Sequence, residues 1–171
     1  MSIKEYIKDF VWSIKCDFQR SREESRWKAS GDYDKCFWDY VHQLRSRPDA
    51  NPDSPLFVGD LKWSSKLPHF LAQETERIKR WVEIASTTFK EDPLTQLIVG
   101  ETLGGVIFIG GYDLLEIERL CLIAIAYLGM HRNDRAIKFY ELALEKATSI
   151  KDQTYVEICR ENLAKLKQSF K

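Results

Sequence analysis

The sequence is short of the residues on which most enzymes and metal proteins depend. Three histidines, His42, His69 and His131, are spread over 171 residues, and four cysteines, Cys16, Cys36, Cys121 and Cys159, stand far apart with no CxxC pair. A zinc site needs closely spaced ligands, so no metal centre is expected. Each cysteine sits in an apolar helical pattern, which predicts free buried thiols in a reducing compartment. Net charge is also lacking, because 26 Lys and Arg balance 26 Asp and Glu. No overall field draws the chain to nucleic acid or an anionic membrane. Gly104, Gly105, Gly110 and Gly111 come without the lysine and hydroxyl of a phosphate-cradling loop. The opening MSIKEYIKDF carries charges through any would-be apolar core, so no signal peptide is expected and the expected setting is cytoplasmic.

What is present is a globular composition, 44% apolar and 30% charged. A chain of this length suits one domain, folding of which buries roughly 70% of the unfolded surface. The apolar residues recur at three- and four-residue steps, and no segment alternates as a strand does. Ser2 and Glu5 fit a capping box ahead of a stripe of Ile3, Tyr6, Ile7, Phe10, Val11, Ile14 and Phe18. Gly31 ends that helix, Asp32 can cap the next, and Pro48 stops it, which makes residues 1–48 an N-terminal hairpin.

Residues 49–67, bounded by Pro48 and Pro68 and holding Pro52 and Pro55, show no helical period and read as a long loop. Its apolar rings, Phe57 and Trp63, either tuck into the core or await a partner. A helix is expected over His69–Phe89, with Phe70, Ile78, Trp81, Val82 and Ala85 inward. Pro93 to Gly111 is strongly apolar but contains Thr95, Gln96, Glu101 and Thr102. It falls short of the roughly 20 apolar residues of a membrane span, so a buried helix is expected, with Gly100 and Gly104 admitting a neighbouring backbone. Asp113 can cap a helix apolar nearly all round, and two more follow from Asp134 and Gln153. The predicted class is all-α, with six or seven helices in antiparallel hairpins, either a solenoid or an irregular bundle.

One stretch is more specific. In residues 117–150, Leu120, Ile123, Ala124 and Tyr127 precede NDRAIKFYELALEK, in which Ala136, Tyr140 and Ala143 stand at helical spacing. This resembles one tetratricopeptide repeat, a two-helix unit with a period of about 34 residues, with His131 and Thr148 in place of the usual turn glycine and closing proline. The segment Gly31 to Pro48, with Cys36 and Tyr40, is similar to the second helix of such a unit. Asn162, Leu163 and Ala164 resemble the start of another, so 112–171 reads as one unit plus a capping helix.

The resemblance implies a protein or peptide partner held on the concave face of the first helices. Here that face is Glu118, Cys121, Ile125 and Leu128, without the Lys and Asn of a carboxylate clamp. An apolar concave face must be covered by a partner or by the chain itself, and the glycine-rich helix is the internal candidate. Arg132 and Arg135 belong to a basic cluster with His131 and Lys138, and Arg20, Arg22, Arg26 and Lys28 form another around Trp27. Asp17, Glu23, Glu24 and Asp134 dilute both, which disfavours nucleic acid. No histidine has a partner at a catalytic spacing, and Glu116 and Glu118, two apart, point to different helix faces. The expectation is a non-catalytic, cofactor-free interaction module, contacting its partner through Phe57, Trp63, the concave residues and the two arginines. The alternative is an immunity protein or antitoxin that neutralises one toxin by direct binding. Oligomeric state is left open, since a capped array can stand alone and an uncapped one can pair edge to edge.

Overall fold

The computed structural model describes residues 3–63 and 67–168, with side chains other than those of residues 3–10, 12, 13, 16, 62 and 63. Among the described residues there are eight α-helices, one 3-10 helix and no strand. The expected capping box lies partly outside the described residues. The first helix, α1 (Ile3–Ser30), ends where Gly31 takes a left-handed φ of +68°. Asp32 then caps α2 (Tyr33–Arg45) by accepting from the Lys35 backbone N–H at 3.0 Å. Both expectations hold because each rests on local chemistry, a residue without Cβ at positive φ and a short acid before a helix.

The segment expected as a loop is irregular over residues 49–54 but turns helical at Pro55. Pro55–Trp63 forms α3, begun by Ser54, whose hydroxyl accepts from the Phe57 backbone N–H at 3.3 Å, and by Pro55 in the first turn. Proline breaks a helix interior but suits its first turn, where its missing N–H has no partner to lose. Phe57 and Leu61 from α3 are buried at 0% and 1% exposure, so of the two places expected for its ring Phe57 takes the core. The expected helix over His69–Phe89 is divided into a 3-10 turn, His69–Gln73, and α4, Thr75–Thr87. Glu74 separates them with a non-helical ψ of 52°. The inward stripe of α4 is as expected, with Ile78, Trp81, Val82 and Ala85 buried.

Trp81 stacks on Phe37 of α2 at 4.0 Å between ring centroids, and its Nε1 donates to Asp34 at 2.7 Å. Arg77 and Arg80 donate to the same carboxylate at 2.7 and 2.6 Å. Burial opposes the Asp34 charge, but these donors outweigh it and hold the carboxyl below its ordinary value of 3.8.

The glycine-rich stretch is α5 (Pro93–Gly110), capped by Asp92 and closed by Gly111 at a φ of +67°. It is long and apolar enough to cross a membrane by length and composition, but 61% of it is buried inside the protein. It touches α2, α3, the 3-10 turn, α4 and α6. Next come α6 (Asp113–Gly129), α7 (Asn133–Ser149) and α8 (Gln153–Gln168), each packed on the one before. Tyr112, not Asp113, is the N-cap of α6; Asp113 lies in the first turn and pairs with Lys146 at 2.5 Å.

Gly100 and Gly104 of α5 have separate reasons. A Cβ on Gly100 would lie 2.5 Å from Cγ1 of Ile123, and one on Gly104 would press at 3.2 Å on the Arg119 guanidinium. Tyr127 and Ala136 close a core cluster with Leu97, Ile123 and Ala126, while Tyr140, Ala124 and Ala143 close another with Cys159 and Leu163. The small residues let α5, α6, α7 and α8 approach, and each tyrosine fills the space left between them.

Candidate functional site

Two sides of α6 do different work. Arg119, Ile123 and Ala126 face the body of the protein, whereas Glu118, Cys121, Leu122 and Ile125, at steps of three, one and three, line a groove. Its other walls are Lys79, Val82, Glu83 and Ser86, which share one face of α4 by the same periodicity, and Tyr155 of α8. The groove holds about 520 Å³. The glycine-rich helix does not cover it, because α5 packs through Gly100 and Gly104 against Ile123 and Arg119. Ile125 is 42% exposed within it.

Tyr155 donates its hydroxyl to Glu118 at 3.0 Å, fixing that carboxylate at the groove wall. Burial pushes the Tyr155 hydroxyl pKa up, and the Glu118 charge pushes it further, so the tyrosine stays a donor at physiological pH. Burial likewise raises the Cys121 thiol, with Cys159 and Glu118 adding to the shift. A protonated thiol is a poor nucleophile, so Cys121 acts here as an apolar wall. The charges at the groove are two carboxylates, Glu83 and Glu118, against one ammonium, Lys79.

Of the residues anticipated for contact, Glu118, Cys121 and Ile125 come together here. Leu128 does not: it is half-buried and packs against the clusters around Tyr140 and Tyr127. Arg132 and Arg135 are also elsewhere and already engaged. Arg132 makes a two-pronged ion pair with Asp53, and Arg135 donates to the Pro52 carbonyl at 2.6 Å while lying over the Tyr127 ring. That basic cluster is an internal clasp on the segment before α3. The side chain of Trp63 lies outside the described residues.

A second concavity, of about 710 Å³, opens between α5, α6 and α7. Its walls carry Phe108, 86% exposed, and Leu142, 40% exposed. Arg119 lies at its base, donating to both Glu116 oxygens at 2.7 and 2.6 Å and to the Gly100 carbonyl at 3.0 Å. A buried arginine inside an apolar helix was not anticipated. The available signal was Glu116 one turn earlier combined with the small residues of α5.

Neither concavity takes a histidine as a wall residue. His131 occupies the turn between α6 and α7 at a positive φ of 58°, and burial together with the Arg20 charge holds His69 below 6.5. Among the described residues, no three His, Cys, Asp or Glu side chains gather as metal ligands would. No family model, no curated protein and no solved structure matches the chain.

Proposed function

We propose that the chain is a non-catalytic protein-interaction module of tetratricopeptide type, which takes a segment of a partner protein into the groove between α4, α6 and α8. The observation that carries this reading is the groove itself, an open trough with an apolar strip of Val82, Cys121, Leu122 and Ile125, in which Ile125 stands exposed and burial keeps the Cys121 thiol protonated. The spacing of small and aromatic residues supports the family reading: Ala124 and Ala136 are fully buried at helix crossings, and Tyr127 and Tyr140 are 2% and 3% exposed. His131 supports it as well, because it takes left-handed backbone where the repeat has its glycine.

The walls define the segment that fits. Val82, Cys121, Leu122 and Ile125 suit apolar side chains, and Glu83 and Glu118 outnumber Lys79, so the matching segment carries a Lys or Arg beside its apolar anchor. The test is capture from lysate by the wild-type chain, by Ile125→Glu and by Glu118→Lys. A specific partner held by the wild type and lost from both variants, with helical circular dichroism unchanged, is expected. Equal capture by all three refutes the reading. If the captured partner is an enzyme that falls silent on binding, the module acts as its inhibitor.

A further inference from the structure

Among the described residues, two uncovered apolar surfaces outside the groove of α4, α6 and α8 are counterparts of one another. The convex one is on α1: Val11, Ile14 and Phe18 fall on one stripe and are 58%, 53% and 70% exposed. The concave one is the trough between α5, α6 and α7, where Phe108 and Leu142 stand exposed above Gly104 and Gly105. Nothing lies within 4 Å of where a Cβ on Gly105 would be, so a visiting helix can come close to α5 there. Uncovered apolar surface on this scale marks an interaction site.

The α1 of the same molecule does not fill the trough, because its stripe stands exposed. Its anchor is at the far end, where Trp27 is 1% exposed beside Tyr33 and Lys28 lies over the Phe70 ring. At about 1.5 Å per residue, Phe18 lies roughly 14 Å and Val11 roughly 24 Å along the axis from Trp27. The helix is continuous over Ile3–Ser30 and does not turn back. Charge favours a second copy: beside the stripe Lys15 and Arg22 are exposed while Asp17 is paired with Arg20. In the trough acids are in excess, with Glu101 and Glu145 present beyond the pairs of Asp113 with Lys146 and Glu116 with Arg119.

We infer that the chain forms a two-fold dimer in which α1 of each copy lies in the α5–α6–α7 trough of the other. Each copy then donates one stripe and accepts one, which closes the assembly at two subunits. The contact is separate from the groove of α4, α6 and α8, so either can stand if the other fails.

Sedimentation equilibrium of the full chain at about 10 to 100 µM, where a micromolar contact is populated, is expected to give twice the chain mass. Phe18→Glu and Phe108→Glu should each give the monomer mass. Both sites are exposed, so unchanged far-ultraviolet circular dichroism separates loss of contact from loss of fold. Mixing the two variants leaves one intact stripe facing one intact trough and should restore a dimer. A monomeric wild type overturns the inference, as does a dimer that survives Phe108→Glu, the result expected if two α1 stripes paired with each other. Binding of the monomer to phosphatidylserine vesicles without self-association overturns it in favour of a lipid surface.

Discussion

Gly100→Ala is the substitution that separates helix propensity from packing in this fold. Alanine is favoured over glycine inside a helix by about 1 kcal/mol, so propensity alone predicts a more stable protein. The structure predicts the reverse, because the added Cβ would stand 2.5 Å from Cγ1 of Ile123, a residue with no exposure and therefore little room to move. Forcing a methyl into a filled core costs roughly 1 to 3 kcal/mol, leaving a net loss of about 1 kcal/mol, or a fall of about 2 to 4 °C in Tm for a chain of this size. Gly105→Ala is the control, five residues on in the same helix with nothing within 4 Å of the new atom. It should gain about 0.5 to 1 kcal/mol. Urea denaturation followed by circular dichroism measures both. In the Ile123→Ala background the penalty at residue 100 should vanish, giving a coupling of about 1 to 3 kcal/mol. A Gly100→Ala protein as stable as Gly105→Ala would refute the close approach of α5 and α6.

Two further outcomes follow from single residues. Asp34→Ala leaves the buried Trp81 Nε1 without its acceptor and should cost about 2 kcal/mol, whereas Asp34→Asn, which can still accept, should cost less; urea midpoints distinguish them. Because the folded carboxyl of Asp34 titrates below 3.8, its contribution is complete above about pH 4 and disappears as pH falls through the lower folded value. Stability measured down the acid limb should therefore decline less steeply in Asp34→Asn than in the wild type. His131 and Lys151 both hold positive φ, 58° and 60°, at the turns before α7 and α8. Replacing either with Gly should raise stability, by up to about 1 kcal/mol, because the left-handed backbone strains any residue with a Cβ. A lower Tm in both variants would show that their side chains matter more than the backbone.

The readable parts of the sequence are those where one helix carries its own signal. Asp32 announces α2, and the stripe of Ile78, Trp81, Val82 and Ala85 announces α4, because caps and periodicity act over a few residues. The helix α3 was hidden because Pro55 counts as a breaker until it is placed in a first turn behind Ser54. The split at Glu74 has no such local mark. At the candidate site, Glu118, Cys121 and Ile125 share a face by spacing alone, whereas the α4 wall facing them is set by tertiary packing. The basic cluster misled for the same reason: the acid that engages Arg132 lies 79 residues away at Asp53. Arg119 required both helices to be in place before its burial against Gly100 could be seen.

The position of α5 has a bearing on how the protein comes apart. A simple stack of hairpins lets go one unit at a time, since each touches only its neighbours. Here five other elements lean on a single greasy rod, so peeling away any of them bares the same hydrocarbon to water. Helices α2 to α6 are thereby bound to melt together, whereas α7 and α8 are tied to that unit mainly through α6.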